Sequence, residues 1–322
     1  MASNSNSILS KMRTTAQVVQ EANLKVRDAI DGRRHSYITR WGKLNDAIDS
    51  IQEGEFLVVG GRPGSGKSAF ANLMIRDIFD KTLNPYPTIG LYFSLEMPAY
   101  QQVIRWYSNE QKIESKKILS SRNPIDEETF ARLRGTGELL KDMKMYFHDI
   151  PLRPEAVGDT VVDTMAKHPG YQVILIVDHS RLVIGNANEE RQKIEKLASI
   201  CNTLKNQCGT ISLLLSQMNR DIEKERDRKK MGLSLPVLAD LFAASAMEQY
   251  ATTVMLLHRP EVYGVKTFAE RDAKNLLIAN IAKQRNGWVG AVMLKSDFQF
   301  YDIHDGNTVV MNDDGFILNF VE

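Results

Sequence analysis

The sequence predicts an α/β fold: a mostly parallel central sheet flanked by helices, with β-hairpins toward the C-terminus. Three observations predict it. Short, almost wholly apolar runs at 57–59, 88–94, 171–178 and 211–216 suit strands covered on both faces. Helical patterns separate these runs, as crossovers between parallel strands require. The first run also leads directly into Gly61-Arg62-Pro63-Gly64-Ser65-Gly66-Lys67-Ser68, which matches G-x-x-x-x-G-K-[ST] at every fixed position.

The chemistry of that loop explains its residues. Glycines let consecutive backbone N–H groups turn inward around a phosphate, and a helix starting near Gly66 aims its positive end at the same point. Lys67 can then reach the β- and γ-phosphates, and the Ser68 hydroxyl can ligate Mg²⁺. A Gly-rich strand–helix turn that binds nothing is the bland alternative. The complete Gly-Lys-Ser ending between a strand and a helix argues against it. The chain is therefore expected to bind a nucleoside triphosphate, ATP with Mg²⁺.

The chain has 322 residues, enough for a large domain with an appendage, and its apolar and charged fractions are those of a soluble globular protein. A net charge of +1 gives no sign of nucleic acid but does not exclude a neutral ring with a small basic pore. Cys201 and Cys208, the only two cysteines, fall on one face of an expected helix. They read as small core residues in a reducing compartment rather than as a disulfide. No apolar run approaches membrane-spanning length, so a cytoplasmic protein with no membrane partner is expected.

Taken in order, residues 1–7 are small and polar, and 8–30 carry apolar residues at helical spacing. Trp41, Leu44 and Ile48 suggest a short helix ahead of the P-loop strand. The phosphate-binding helix should run from Ser68 to about Lys81, and Thr88 to Ser94 forms the next strand. Glu96 follows it, on the edge where open α/β sheets bind ligands. A carboxylate there can polarise a water for attack on the γ-phosphate, or simply interact with the start of the helix opened by Pro98; position alone does not choose. Residues 99–141 read as helical, with Gly135 and Gly137 as interruptions. A strand at 143–148 and a crossover helix at 154–168 lead to the apolar strand ending in Asp178. An acid there is common, but beside a complete P-loop it points to Mg²⁺ coordination, usually through water.

A helix over 191–207 and a strand over 211–216 deliver Gln217, placed to touch the γ-phosphate. Residues 220–230, including Arg228 and Lys229, are densely charged but mixed in sign, which reads first as a solvated surface and second as nucleic-acid contact. Beyond a strand at 252–257, residues 259–274 read as a polar loop. Strands are expected at 276–284, 290–295 and 298–303, with a turn at Asn286-Gly287 and a terminal hairpin about Asp314-Gly315.

These segments together resemble a known family, the RecA-type motor domain of DnaB-like replicative DNA helicases. The resemblance spans Thr39 to Asp305 and is carried by GRPGSGKS (61–68), FSLEMP (93–98), LIVDHSRLV (175–183), LSQMNR (215–220), RPEVYG (259–264) and IAKQRNG (281–287). The first of these identifies only P-loop proteins; FSLEMP, SQMNR and KQRNG in this order are far more specific. The resemblance implies a RecA-like ATPase core over 36–305, preceded by a tail and linker helix (1–35) that packs on a neighbouring subunit. A C-terminal extension (306–322) follows. On this resemblance the family's N-terminal helical domain is expected to be absent, as in some phage versions.

It also implies residue roles. Lys67, Ser68, Ala69 and Arg259 would contact the nucleotide, with Ser68 and Asp178 at the metal. Glu96 would be the catalytic base and Gln217 the γ-phosphate sensor. Lys283 and Arg285 would enter the next subunit's site as a basic pair with an arginine finger; without the family pattern they are ordinary strand residues. The implied partners are single-stranded DNA, further copies in a hexamer, and a loader and a primase. Two departures bear on DNA. Phe242-Ala243-Ala244-Ser245 replaces an Arg-Glu-Ser-Gly run, leaving Ser245 and backbone N–H groups as donors. Arg181 follows the Asp178 strand, as a replacement pore charge or as a surface ion pair. The competing reading is a RecA-like ATPase ring or filament that uses ATP for assembly or binding without unwinding.

Overall fold

The computed structural model describes residues 12–178, 190–219, 232–269, 271–285, 287–311 and 317–321, from 307 onward by backbone alone. The chain divides into two compact units, residues 1–36 and 37–322. In the first, helix α1 (Thr15–Ile30) opens on a capping box: the Gln17 N–H donates to Thr14 Oγ1 and the Thr14 N–H to Gln17 Oε1 at 2.8 Å. This cap starts the helix at Thr15, so Met12 to Thr14 lie outside it, although the apolar spacing predicts a helix from Ile8.

The second unit is built on one ten-stranded sheet. Strands β1 (Phe56–Gly61), β2 (Thr88–Ser94), β3 (Met145–His148), β4 (Gln172–Asp178), β5 (Ile211–Gln217) and β6 (Thr253–His258) are parallel and lie side by side as β3-β2-β4-β5-β1-β6. Beyond β6 the sheet continues antiparallel through β7 (Leu276–Gln284), β8 (Gly290–Asp297), β9 (Asp302–Met311) and β10 (Ile317–Val321).

Both faces of the parallel part are covered. Ile174 and Ile176 of β4 join one apolar layer and Val173, Leu175 and Val177 the other. That two-sided burial is why the strand reads as uninterrupted apolar sequence. The first layer holds α2 (Gly42–Ile48) and α3 (Lys67–Phe79), through Leu44, Phe70, Leu73 and Met74. Also placed in the chain are α4 (Ala99–Gln111) and α5 (Glu127–Lys141). The second layer holds α6 (Pro154–Lys167), α7 (Glu190–Cys208) and α8 (Ala244–Tyr250), through Val157, Val161, Leu197, Cys201 and Met247. Cys201 is buried and free, as is the half-buried Cys208.

The segment before β1 fixes α3 from outside. Trp41 stacks on Phe70 with ring centroids 4.4 Å apart and donates its indole N–H to the Ile303 carbonyl at 2.9 Å. Arg40 forks onto the buried Asp77 of α3, through Nε at 3.0 Å and a second guanidinium nitrogen at 2.8 Å to Oδ1. The helix that bears the phosphate loop is thereby held at both ends.

Three expectations are corrected. Gly135 and Gly137 do not interrupt α5, which runs unbroken from an Asp126 cap; Gly137 instead leaves room for Tyr107, whose hydroxyl would lie 2.5 Å from an added Cβ. Residues 298–301 form the turn between β8 and β9 rather than a strand, with Tyr301 at φ +51°. The 259–274 region is not simply a polar loop: Val265, Phe268 and Ala273 bury a small cluster of their own against β7 and β8. The terminal hairpin is present as β9 paired with β10, though Asp314-Gly315 and Asn286 lie outside the described residues.

Candidate nucleotide-binding site

The site lies at the C-terminal ends of the parallel strands, where β1 gives way to the loop and α3. Gly64 and Gly66 have φ of +79° and +91°, a region that penalises any side chain. Their packing differs. An added Cβ on Gly64 meets nothing within 4 Å, whereas on Gly66 it would lie 2.5 Å from the Phe298 ring. Phe298 reaches the loop because the 298–301 segment turns. The Arg259 guanidinium lies 3.9 Å from the Phe298 ring centroid and donates to the Gly64 carbonyl at 3.0 Å. Pro63 and Gly64 are exposed, Arg62 is partly buried with its guanidinium 5.9 Å from the Tyr263 ring, and Ala69 is buried beneath the loop.

Lys67 is buried, and its ammonium donates to the Gly61 and Arg62 carbonyls at 2.8 and 3.0 Å. Burial lowers its pKa to about 8, against the opposing pull of Asp178 and Glu96. Asp178 ends β4 and is almost fully buried; burial raises its pKa to about 6, partly offset by a hydrogen bond with the Ser68 side chain. Two polar atoms beside the loop are buried without a hydrogen-bond partner, Ser65 Oγ and Arg259 Nε. Orphaned polar groups at the loop, together with its buried ammonium, suit a polyanion, which would supply acceptors. A buried carboxylate joined to a serine hydroxyl likewise suits Mg²⁺, which takes few protein ligands and completes its shell with phosphate and water. Groups of three or more His, Cys, Asp or Glu placed to form an all-protein metal cage are absent among the described residues.

Glu96 is exposed on the loop after β2. Because β2 pairs with β4, with Ser94 level with Asp178, the Leu95 and Glu96 N–H groups both donate to the Asp178 carbonyl, at 2.6 and 3.3 Å. The two carboxylates of the site are therefore set by one stretch of sheet. Gln217 ends β5, next to β1, and its carbonyl accepts the Phe242 N–H at 3.1 Å, which fastens the Phe242–Ser245 turn to the same edge. Ser245 accepts a hydrogen bond from Arg191 at 2.9 Å. Arg181, Arg228 and Lys229 lie outside the described residues.

Lys283 and Arg285 are not part of this cluster. Strand β7 runs antiparallel to β6, so Gln284 sits level with Thr253 and Leu57, while the loop leaves the sheet after Gly61. Four residues of strand, about 13 Å, separate the two levels. At that far edge Lys283 donates to the Glu248 and Ala251 carbonyls, Arg285 to the Gln249 carbonyl and Lys205 to the Tyr250 carbonyl. Three cations thus hold the carbonyls that end α8.

Sequence reasoning missed Tyr92, Asn72 and Gln102, which join Asp178 to the Glu96 loop, and Phe298, which covers the P-loop. The only signal for Tyr92 and Asn72 is a polar group inside an otherwise apolar stretch, and Gln102, in a mixed helix beside Gln101, gives none.

Fold and site together define a RecA-like P-loop NTPase domain. The chain belongs to the DnaB-like helicase C-terminal domain family, whose model matches residues 38–305. It is similar to the replicative DNA helicase DnaB of Buchnera aphidicola from Acyrthosiphon pisum, 28% identical over 288 residues that make up 87% of this chain and 57% of the relative. The chain thus spans little more than half the length of that relative. Among solved structures, one described as an ATPase domain superposes with a TM-score of 0.75 at 22% identity, covering 89% of this chain and 98% of that one. Another, of a DnaB-like replicative helicase and its interactions with primase, gives 0.73 at 22% identity, covering 88% and 66%. No helix among the described residues is long and apolar enough to cross a membrane.

Proposed function

We propose that this chain is an ATP-dependent replicative DNA helicase motor, working as a hexameric ring that translocates on single-stranded DNA and unwinds duplex. One observation carries the reading: Lys283 and Arg285 stand at the sheet edge opposite their own phosphate loop, about 13 Å further along the strands. A finger pair placed there serves a neighbour's site rather than its own, which makes hydrolysis depend on how subunits are arranged. Family membership supports the same role.

Within the site, Lys67 and the loop amides hold the triphosphate, and Arg259 contacts the nucleotide beside Phe298. Ser68 and Asp178 would hold Mg²⁺, which when bound would neutralise charge on the phosphates. Glu96 orients and deprotonates the attacking water, and Gln217 meets the γ-phosphate at the end of β5. The neighbour's Arg285 guanidinium stabilises the charge spread over the transferring phosphoryl group, with Lys283 beside it. Gln217 also touches the Phe242–Ser245 turn through its carbonyl, so γ-phosphate loss has a short route to a DNA-facing segment. DNA contacts there would be made to phosphates, sequence-independent and salt-sensitive. A primase and a loader are proposed partners, the first by analogy with the related helicase whose structure addresses its interactions with primase.

The test is strand separation on a forked duplex with ATP, with hydrolysis measured in parallel. Unwinding that depends on ATP and on protein concentration is expected. Robust hydrolysis that ignores single-stranded DNA and never separates strands would instead favour an ATPase that uses the nucleotide for assembly.

A further inference from the structure

A line of buried polar side chains leaves Asp178 and ends on the loop that carries Glu96. The Tyr92 hydroxyl lies 3.4 Å from Asp178 Oδ2 and 3.3 Å from Asn72 Oδ1. Asn72 Nδ2 donates to Gln102 Oε1 at 2.8 Å, Gln102 Nε2 donates to Ser94 Oγ at 3.1 Å, and the Ser94 hydroxyl donates to the Met97 carbonyl at 2.6 Å. None of the five side chains is more than 3% exposed. Polar groups this deep are costly unless every one is satisfied, and the surrounding core does not need them. Tyr92 already packs on Phe147 through its ring, 5.5 Å between centroids, and a phenylalanine would do the same.

The line also has a direction. Ser94 gives its proton to Met97, so it can only accept from Gln102. Gln102 therefore turns its carbonyl to Asn72, and Asn72 turns its own carbonyl to Tyr92. The choice left open lies at its start. The Tyr92 hydroxyl has a single hydrogen and faces two acceptors, the Asp178 carboxylate and the Asn72 amide oxygen.

We propose that Tyr92, Asn72 and Gln102 are positioning residues that transmit the state of Asp178 to the Glu96 loop. While the Asp178 carboxylate is free, Tyr92 donates to it. When that carboxylate is drawn toward a bound cation, Tyr92 turns its proton to Asn72, and the amide line tightens on Ser94 and Met97, either side of Glu96. The Leu95 and Glu96 N–H groups, held on the Asp178 carbonyl, fix the other end of the same short loop. Glu96 is then set in place only when the metal acid is engaged, which limits hydrolysis to a correctly loaded site. The inference rests on the roles proposed above for Asp178 and Glu96.

The variants that test it are Tyr92→Phe, which removes one oxygen and keeps the ring, Gln102→Leu, and the two combined. The first readout is hydrogen–deuterium exchange across residues 95–97, with a non-hydrolysable ATP analogue, with and without Mg²⁺. The native protein should gain protection there when Mg²⁺ is added, and each variant should lose that gain. The second is steady-state hydrolysis. A fall in kcat of about tenfold, the worth of one hydrogen bond to a charged group, is expected with nucleotide affinity held within about twofold. The double variant should be no worse than the single ones, because all three break one line. Metal-dependent protection that survives in folded Tyr92→Phe, or losses that add in full, would overturn the proposal. If Tyr92→Phe does not fold, Ser94→Ala breaks the line from its other end and is judged by the same outcomes. Glu96→Gln separates the two failures: undiminished hydrolysis there removes Glu96 from its role, whereas an inactive Glu96→Gln beside unaffected Tyr92 and Gln102 variants removes only the line.

Discussion

Asp178→Asn exposes the electrostatics of the nucleotide-free protein, because it keeps the shape of the side chain and removes its charge. Burial is the first cause of the raised Asp178 pKa, about 6 against an ordinary 3.8; Ser68, Arg105 and Lys67 pull it down, and Glu96 pushes it further up. A gap of about two pH units at ~1.36 kcal/mol each makes holding the charged form cost about 3 kcal/mol without nucleotide. The sign follows from which state takes up the proton first. Above pH 6 both folded and unfolded forms carry the charge, and the folded form bears the full cost. As pH falls through 6 toward 4, the folded form is protonated before the unfolded one and the cost disappears. Between pH 7 and pH 5 this group alone should stabilise the native protein by on the order of 1 kcal/mol. Asp178→Asn should be more stable than the native chain by up to about 3 kcal/mol at pH 7, and that advantage should shrink by the same amount, on the order of 1 kcal/mol, at pH 5. Urea titrations of nucleotide-free protein at the two pH values measure both terms. An advantage of equal size at pH 5 and pH 7 would refute the argument, since it would mean that Asp178 does not titrate in this window.

Lys67→Ala removes the only ammonium in the phosphate loop and should weaken triphosphate binding at least 10- to 100-fold, measured with a fluorescent nucleotide. Glu96→Gln should bind nucleotide normally yet slow turnover by a factor on the order of 10² to 10⁴, the usual worth of a general base; normal steady-state hydrolysis would exclude the role. Arg285→Ala mixed with native protein should depress activity more steeply than its share of the mixture, because each variant subunit spoils a neighbour's site; strict proportionality would argue against a finger acting in trans. Arg40→Met leaves Asp77 buried without its fork and should cost about 3 kcal/mol of stability in urea titration, while leaving the nucleotide contacts untouched.

What the sequence makes legible here follows the physics of each signal. Strands covered on both faces announce themselves as apolar runs, and the ends of β1, β2, β4 and β5 place Gly61, Glu96, Asp178 and Gln217 on one edge from the pattern alone. The phosphate loop is legible because its glycines answer to backbone geometry, as the positive φ at Gly64 and Gly66 shows. Long-range side-chain partnerships are not legible. Nothing local to Asn72 or Gln102 says that they meet across the face of α3, and Phe298 reads as a strand residue because its neighbours are aromatic. The antiparallel run of β7 is the decisive element that propensity alone does not orient: it sends Lys283 and Arg285 away from the loop they would otherwise seem to serve.

The bonds that hold the far end of α8 have one more consequence. Lys205, Lys283 and Arg285 satisfy the carbonyls of Glu248, Gln249, Tyr250 and Ala251, and α8 has only seven residues. A subunit whose Lys283 and Arg285 swing out to a neighbour's phosphates would strip most of those donors from its own helix. The same short rod begins at Ala244, beside the turn proposed to face DNA, so reaching outward at one end would loosen the proposed grip at the other.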